Sequence, residues 1–206
     1  MRRMLLLVAA LAAFALVGIA SAAQSQKVTI STARPAVVYG SPVKLAGAVS
    51  SHQAGEQVTV LARQYGETTF TQVGVVTTTA KGAWSYSASP QIQTSYEARW
   101  NTATSRTVDV KVRPRIRLTL ITRSGLRGSF SVTVEGNRPF ANKRVLIQRL
   151  TATGASTLKT VKLNAASTAD FTLRLQKHRA RVRVVMSSSQ AAPGYIAGYS
   201  NVWKNS

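Results

Sequence analysis

The chain has 206 residues, 45% of them hydrophobic, no cysteine, and 27 Lys and Arg against 6 Asp and Glu, a formal net charge of +21. The apolar share is that of a folded protein rather than a disordered tail, and the absence of cysteine excludes disulfide clamps and thiolate metal sites. A basic excess of this size draws polyanions and anionic surfaces, and it says nothing about fold.

Arg2 and Arg3 precede an unbroken apolar run from Met4 to Ala20, followed by Ala20-Ser21-Ala22. This is the pattern of a secretory signal peptide occupying 1–22 and cut after Ala22, which addresses the chain to the outside of the cell. Retained, the same run reaches the ~17-residue lower limit of a membrane-spanning helix, the alternative reading. No cysteine follows the run, so a lipid-anchored terminus is not expected. The charge of the rest is uneven: Gln24 to Val112 carries 8 Lys and Arg against 4 acids, whereas Arg113 onward carries 17 against 2, a net of +15.

Val28-Thr29-Ile30-Ser31 alternates as a first edge strand, and Pro35 bends the chain before Val37 to Pro42. Side chains alternate along a strand with period two. Val43, Leu45, Gly47 and Val49 therefore share one face of the next strand, and Val58, Val60 and Ala62 one face of the strand after the Ala54-Gly55 turn. Phe70 to Thr78 is a Thr- and Val-rich strand, Lys81-Gly82 a turn, and Trp84-Ser85-Tyr86 a strand ended by Pro90. Tyr96, Ala98 and Trp100 define another strand face, and Val108, Val110 and Val112 the last. Short strands with turn signals every ~8–12 residues, and no helical periodicity, predict an all-β sandwich.

The chain then passes from strand to strand through Pro114 alone, which predicts two units set end to end without a flexible linker. In the second unit Ile116, Leu118 and Leu120 face inward and Arg115 and Arg117 outward. Phe130, Val132 and Val134 follow, then Val145 and Ile147, Leu158 and Val161, Phe171, Leu173 and Leu175, and Val182 and Val184. Ser187 to Gln190 reads as a loop and Gly194 to Trp203 as one continuous closing strand. A constant offset of 87 residues takes Leu45 to Val132, Val58 to Val145 and Trp84 to Phe171, so one β unit is used twice, at 23–112 and at 113–206.

Val38-Tyr39-Gly40 ahead of Val43-Lys44-Leu45-Ala46-Gly47, the Gly55-Glu56-Gln57-Val58 entry, Gly82-Ala83-Trp84-Ser85-Tyr86 and Thr94-Ser95-Tyr96-Glu97-Ala98 resemble the bacterial immunoglobulin-like repeats of exported actinobacterial surface proteins. The resemblance covers the first unit and, in the second, mainly Val132 to Arg149. It implies two tandem immunoglobulin-like β-sandwich domains after the signal helix, used without catalysis as a spacer, stalk or adhesive module. Transthyretin-like sandwiches share the pattern, so the topology stays open between the two. Tyr96, at the start of its strand, resembles the corner tyrosine of such sandwiches, whose hydroxyl ties back to backbone. Trp84 and Trp100 read as core anchors.

No residue set names a reaction. Glu56, Glu67, Glu97, Asp109, Glu135 and Asp170 include no neighbouring pair on one strand face, as two-carboxylate chemistry requires. His52 sits in a turn and His178 in a basic loop, neither with a second ligand at metal spacing. No serine lies in a nucleophile elbow and no glycine-rich phosphate loop exists, so neither an enzyme, a cofactor nor a small-molecule substrate is expected.

Two constellations remain. Arg113, Arg115 and Arg117 alternate on one strand and Arg179, Arg181 and Arg183 on another, and an immunoglobulin-like order lets the two rows share one sheet. Guanidinium groups grip phosphates bidentately, which selects anionic envelope polymers or surfaces as partners; sequence-specific nucleic-acid reading is not expected, because phosphate contact carries no base information. The plain alternative is that these arginines only solubilise the sheet and blunt its edges. Tyr195, Tyr199 and Trp203 fall on one face of the predicted closing strand and would form an aromatic platform beside the arginines, or simply cover the domain end. The expectation is a secreted, envelope-associated binding or spacer module. A diffusible polyanion or nucleic-acid binder is the alternative function, and another surface protein the alternative partner.

Overall fold

The computed structural model describes residues 25–176 and 180–205; the predicted signal segment, His178 and Arg179 lie outside them. The first half contains β1 (Ser31–Thr32), β2 (Ala36–Val38), β3 (Val43–Ala48), β4 (Gln57–Gln64), β5 (Thr71–Thr77), a short 3-10 turn (Ala80–Gly82), β6 (Ala83–Ala88), β7 (Thr94–Trp100), β8 (Ala103–Thr104) and β9 (Val108–Arg113). They form two facing sheets, β1-β3-β6 and β2-β9-β7-β4-β5, with β8 beside β7. Pro35 lies between β1 and β2 and carries the chain from one sheet to the other, so that β2 ends parallel to β9 while the other pairs are antiparallel. This order is immunoglobulin-like.

The second half contains β10 (Arg115–Ser124), β11 (Arg127–Glu135), β12 (Arg144–Thr151), β13 (Gly154–Lys162), β14 (Thr168–Arg174), β15 (Arg181–Met186), a single helical turn α1 (Ser188–Ala191), β16 (Gly198–Tyr199) and β17 (Trp203–Lys204). Its sheets are β10-β11-β14 and β13-β12-β15-β16, with β17 also on β15. The repeat holds at the level of elements: Leu45 on β3 and Val132 on β11, Val58 on β4 and Val145 on β12, and Trp84 on β6 and Phe171 on β14 are all buried. So are Phe130, Ile147, Leu173, Val182 and Val184, as period-two alternation requires. Gly47 sits where Thr29 and Trp84 close over β3, since a Cβ there would stand 1.8 Å from the Thr29 carbonyl oxygen.

The halves differ at their first strand. Position 122, the counterpart of Pro35, is Thr, so nothing breaks β10, and it stays with β11 over ten residues with one bulge. Only a parallel bridge from Ile116 to Ser200 remains of the β2–β9 arrangement.

Two expectations are corrected in the closing segment. Ser187 to Gln190 is not a loop: Ser187 is the N-cap and Ser188 to Gln190 are the first three residues of α1. Gly194 to Trp203 is not one strand, because its backbone is claimed by the first sandwich. The Gln93 N–H donates to the Gly194 carbonyl at 3.0 Å and the Ile196 N–H to the Val112 carbonyl at 2.9 Å. Ser200 then returns to β15 through its N–H to the Val184 carbonyl, and the Asn201 amide brackets both the N–H and the carbonyl of Leu118. The buried apolar residues of both sandwiches form one contiguous cluster.

Candidate functional site

The broken closing segment sends its three aromatic residues to three places, so they form no common platform. Tyr195 is buried at the junction: its hydroxyl donates to the Gln91 carbonyl and accepts from the Asn137 N–H, each at 2.6 Å, and its ring lies edge-on to Phe140 at 5.4 Å. Trp203 turns inward and meets Phe130 edge-to-face at 5.1 Å. Tyr199 alone is exposed, at 50%.

The arginine rows do not share a sheet. The first row is itself divided, contrary to the expected unit boundary: Arg113 ends β9 of the first sandwich, and only Arg115 and Arg117 lie on β10, which belongs to the β10-β11-β14 sheet, with β15 in the one opposite. The individual side chains separate further. Arg115 reaches across the junction to Gly40, whose added Cβ would lie 2.8 Å from Arg115 Nη2. Arg117 faces Glu135 at 3.6 Å, an exposed pair worth little. Arg181 lies opposite Lys204 in the β15–β17 register. Arg113 and Arg183, one from each row, converge instead on the exposed Tyr199, with guanidinium carbons 5.7 and 5.2 Å from its ring centroid, within cation–π range.

Each of these two guanidinium groups is anchored by a neutral partner. Arg113 Nη1 donates to the Ala197 carbonyl, and Arg183 Nε to Gln148 Oε1 at 3.1 Å. Gln148 escaped notice in the sequence because its role depends on the β12–β15 register, which places it directly opposite Arg183 from 35 residues away. Arg138 escaped because its partners lie more than 50 residues away: its Nη2 clamps the carbonyls of Ala191, at 2.7 Å, and Pro193, at 3.2 Å.

Three of the carboxylates are engaged by nearby hydroxyls. Glu97 accepts from the Thr107 hydroxyl and Asp109 from the Ser95 hydroxyl, both at 2.6 Å, and Glu56 accepts from Ser51. His52 stands exposed in a left-handed turn at φ 57°. Among the described residues no three His, Cys, Asp or Glu gather as a metal-ligand set, and no helix is long and apolar enough to cross a membrane.

Tyr96 is buried on β7, and burial pushes its phenol up to about 12, partly opposed by the Thr94 side chain. The ties from hydroxyl to backbone are made by Tyr86, donating to the Val73 carbonyl at 2.8 Å, and by Tyr195. Burial also raises Tyr195, against the opposing effect of its Asn137 bond. A phenol that holds its proton more tightly when folded favours the unfolded chain once it ionises. Its contribution is therefore complete below the ordinary tyrosine pKa of about 10 and is lost as pH rises through the folded value. For Tyr96 the loss by pH ~12 is on the order of 2–3 kcal/mol. Urea midpoints should fall above pH ~10, and fall less in Tyr96→Phe; parallel curves for the two proteins would refute the assignment.

No protein-family model matches the sequence, and no curated protein matches it. Among solved structures, the chain is similar to a tetra-tandem repeat in the extending region of a large adhesion protein, at 12% identity and a TM-score of 0.38, over 87% of this chain and 49% of that one. It is also similar to Escherichia coli alpha-2-macroglobulin activated by porcine elastase, at 13% identity and a TM-score of 0.31, over 87% of this chain and 20% of that one. The chain thus spans about half the length of the first and a fifth of the second.

Proposed function

We propose that the chain is an exported, non-catalytic spacer and binding module of the cell envelope, with its basic second sandwich held against anionic polymers or surfaces. The observation that supports it is a linker-free junction, buttressed by hydrogen bonds, between two sandwiches of unequal charge. A spacer needs its two ends at a fixed separation, and hydrogen bonds between Gln91, Gln93 and Val112 and the closing segment support that without a disulfide. From Pro114 onward, after β9 ends, 16 Lys and Arg against 2 acids leave a net +14, above the roughly 2–8 charges that solubility of a small domain asks for.

The second reading, a diffusible polyanion or nucleic-acid binder, draws on the same charge; with strands as its contact elements it would be indifferent to base sequence. Cell fractionation with N-terminal sequencing separates the two. The envelope module sediments with the envelope, begins at Ala23 and is released by high salt, because surface ion contacts are screened. Recovery from the medium alone favours the diffusible binder, and recovery from the cytosol overturns both.

A further inference from the structure

We infer that anion binding, on the reading just proposed, is centred on one composite site at the junction, Arg113, Tyr199 and Arg183, and that its ligand is a polymeric phosphodiester lying across both sandwiches. Arg113 is the last residue of β9, in the first sandwich, whereas Tyr199 and Arg183 lie on β16 and β15 of the second. The site therefore exists only where the two halves dock.

Three features distinguish it from the other arginines. First, its two guanidinium carbons, each within 6 Å of one ring, stand within about 11 Å of each other. Second, among the described residues neither has a carboxylate partner: the ion pair found is Arg117 with Glu135, on the opposite sheet. With no carboxylate to displace, a phosphate seated on either guanidinium gains charge-assisted hydrogen bonds without breaking an internal ion pair. Third, the groups are preorganised. One N–H of each guanidinium is used on a neutral oxygen, Ala197 or Gln148, which fixes the side chain without neutralising it. The remaining N–H groups and the Tyr199 hydroxyl have no protein acceptor or donor among the described residues. Side chains already ordered lose less entropy on binding, so this pair should outrank free surface arginines of equal charge.

A single phosphate could satisfy one guanidinium. Two separated guanidinium groups flanked by further cations, Arg181 and Lys204, fit successive phosphates of a chain. Because the contacts come from both halves, an occupied site also bridges the junction.

The test uses the full secreted chain and a fluorescently labelled glycerol-phosphate polymer, with anisotropy read across a salt series; inorganic polyphosphate runs as a second arm. The double variant Arg113→Gln, Arg183→Gln is compared with Arg117→Gln, Arg174→Gln, on the β10-β11-β14 sheet away from the site, which removes the same charge. The first should lose at least about tenfold in affinity near 0.1 M salt and flatten the plot of log affinity against log salt by roughly 1.4, since each single-strand phosphate contact contributes ~0.7. The second should lose less than about threefold. Should the Arg113 change disturb folding, Arg183→Gln with Tyr199→Leu decides, with the same expected loss. Equal losses from the charge-matched doubles overturn the composite site while leaving polyanion binding intact. Absence of binding by the unaltered chain to either polymer removes both. Binding of polyphosphate but not of the glycerol-phosphate polymer overturns the phosphodiester assignment.

Discussion

Phe130→Ala is expected to cost about 3–5 kcal/mol, as truncation of a fully buried aromatic does. Phe130 lies on β11 with no exposed surface. It stacks on Phe171 of the neighbouring β14 at 5.7 Å and receives the Trp203 edge at 5.1 Å from the opposite sheet. It is thus a contact through which one sheet of the second sandwich grips the other, and aromatic pairs add to the value of area burial. The surroundings cannot readily collapse into the space, because Trp203 is held by pairing with Val182 and Phe171 by pairing with Phe130 itself. A sandwich of ~90 residues has little margin and here no disulfide to support it, so the melting temperature should fall by roughly 10 °C or more. Trp203 is the one tryptophan beyond Trp100, so in a Trp84→Phe, Trp100→Phe background its emission reports the second sandwich directly. A shift below ~3 °C, or Trp203 emission unchanged from the native spectrum, would show that the gap is filled by repacking.

The core could be read from the sequence because burial in a sandwich depends on period-two alternation, a local property, and because the 87-residue offset repeats that alternation in phase. Val43, Leu45, Val58, Val110, Phe130 and Val145 are where the pattern puts them. What could not be read is whatever depends on which strand pairs with which. The alternation in Tyr195 to Trp203 is real, yet it assigns faces only if the segment is a strand. Tyr195 to Ala197 instead hydrogen-bond to the other sandwich, donating to Gln91 in the β6–β7 loop and to Val112 of β9 and accepting from Arg113 of β9. The same holds for the arginines. Their alternation was visible, but whether two rows meet depends on β10 staying with β11, a consequence of the proline that position 122 lacks. The convergence of Arg113 and Arg183 on Tyr199 joins residues up to 86 positions apart, through a docking that no local pattern encodes.

Tyr195 is the residue on which that docking most depends, and its replacement is expected to loosen the junction before it unfolds either sandwich. One hydroxyl serves two loops: it donates to Gln91, between β6 and β7, and accepts from Asn137, between β11 and β12. In Tyr195→Phe the ring stays against Phe140 while a carbonyl of the first sandwich and an N–H of the second lose their partner. Asn137 is exposed and Gln91 half-buried, so water can take up the freed groups and each lost hydrogen bond costs about 0.5–1.5 kcal/mol. Tyr195→Ala removes the ring as well and should approach the ~3–5 kcal/mol of other buried aromatic truncations. The absence of cysteine makes the angular effect measurable, since cysteines introduced at the exposed Val75 and Lys159 carry spin labels with no background. The native chain should give one narrow distance distribution across the junction, broadened in Tyr195→Phe and broadened further in Tyr195→Ala. If the melting temperature falls while the width stays constant, Tyr195 serves local packing alone. The rigidity of the junction would then rest on the Gln93 to Gly194 and Ile196 to Val112 backbone bonds, which both variants retain.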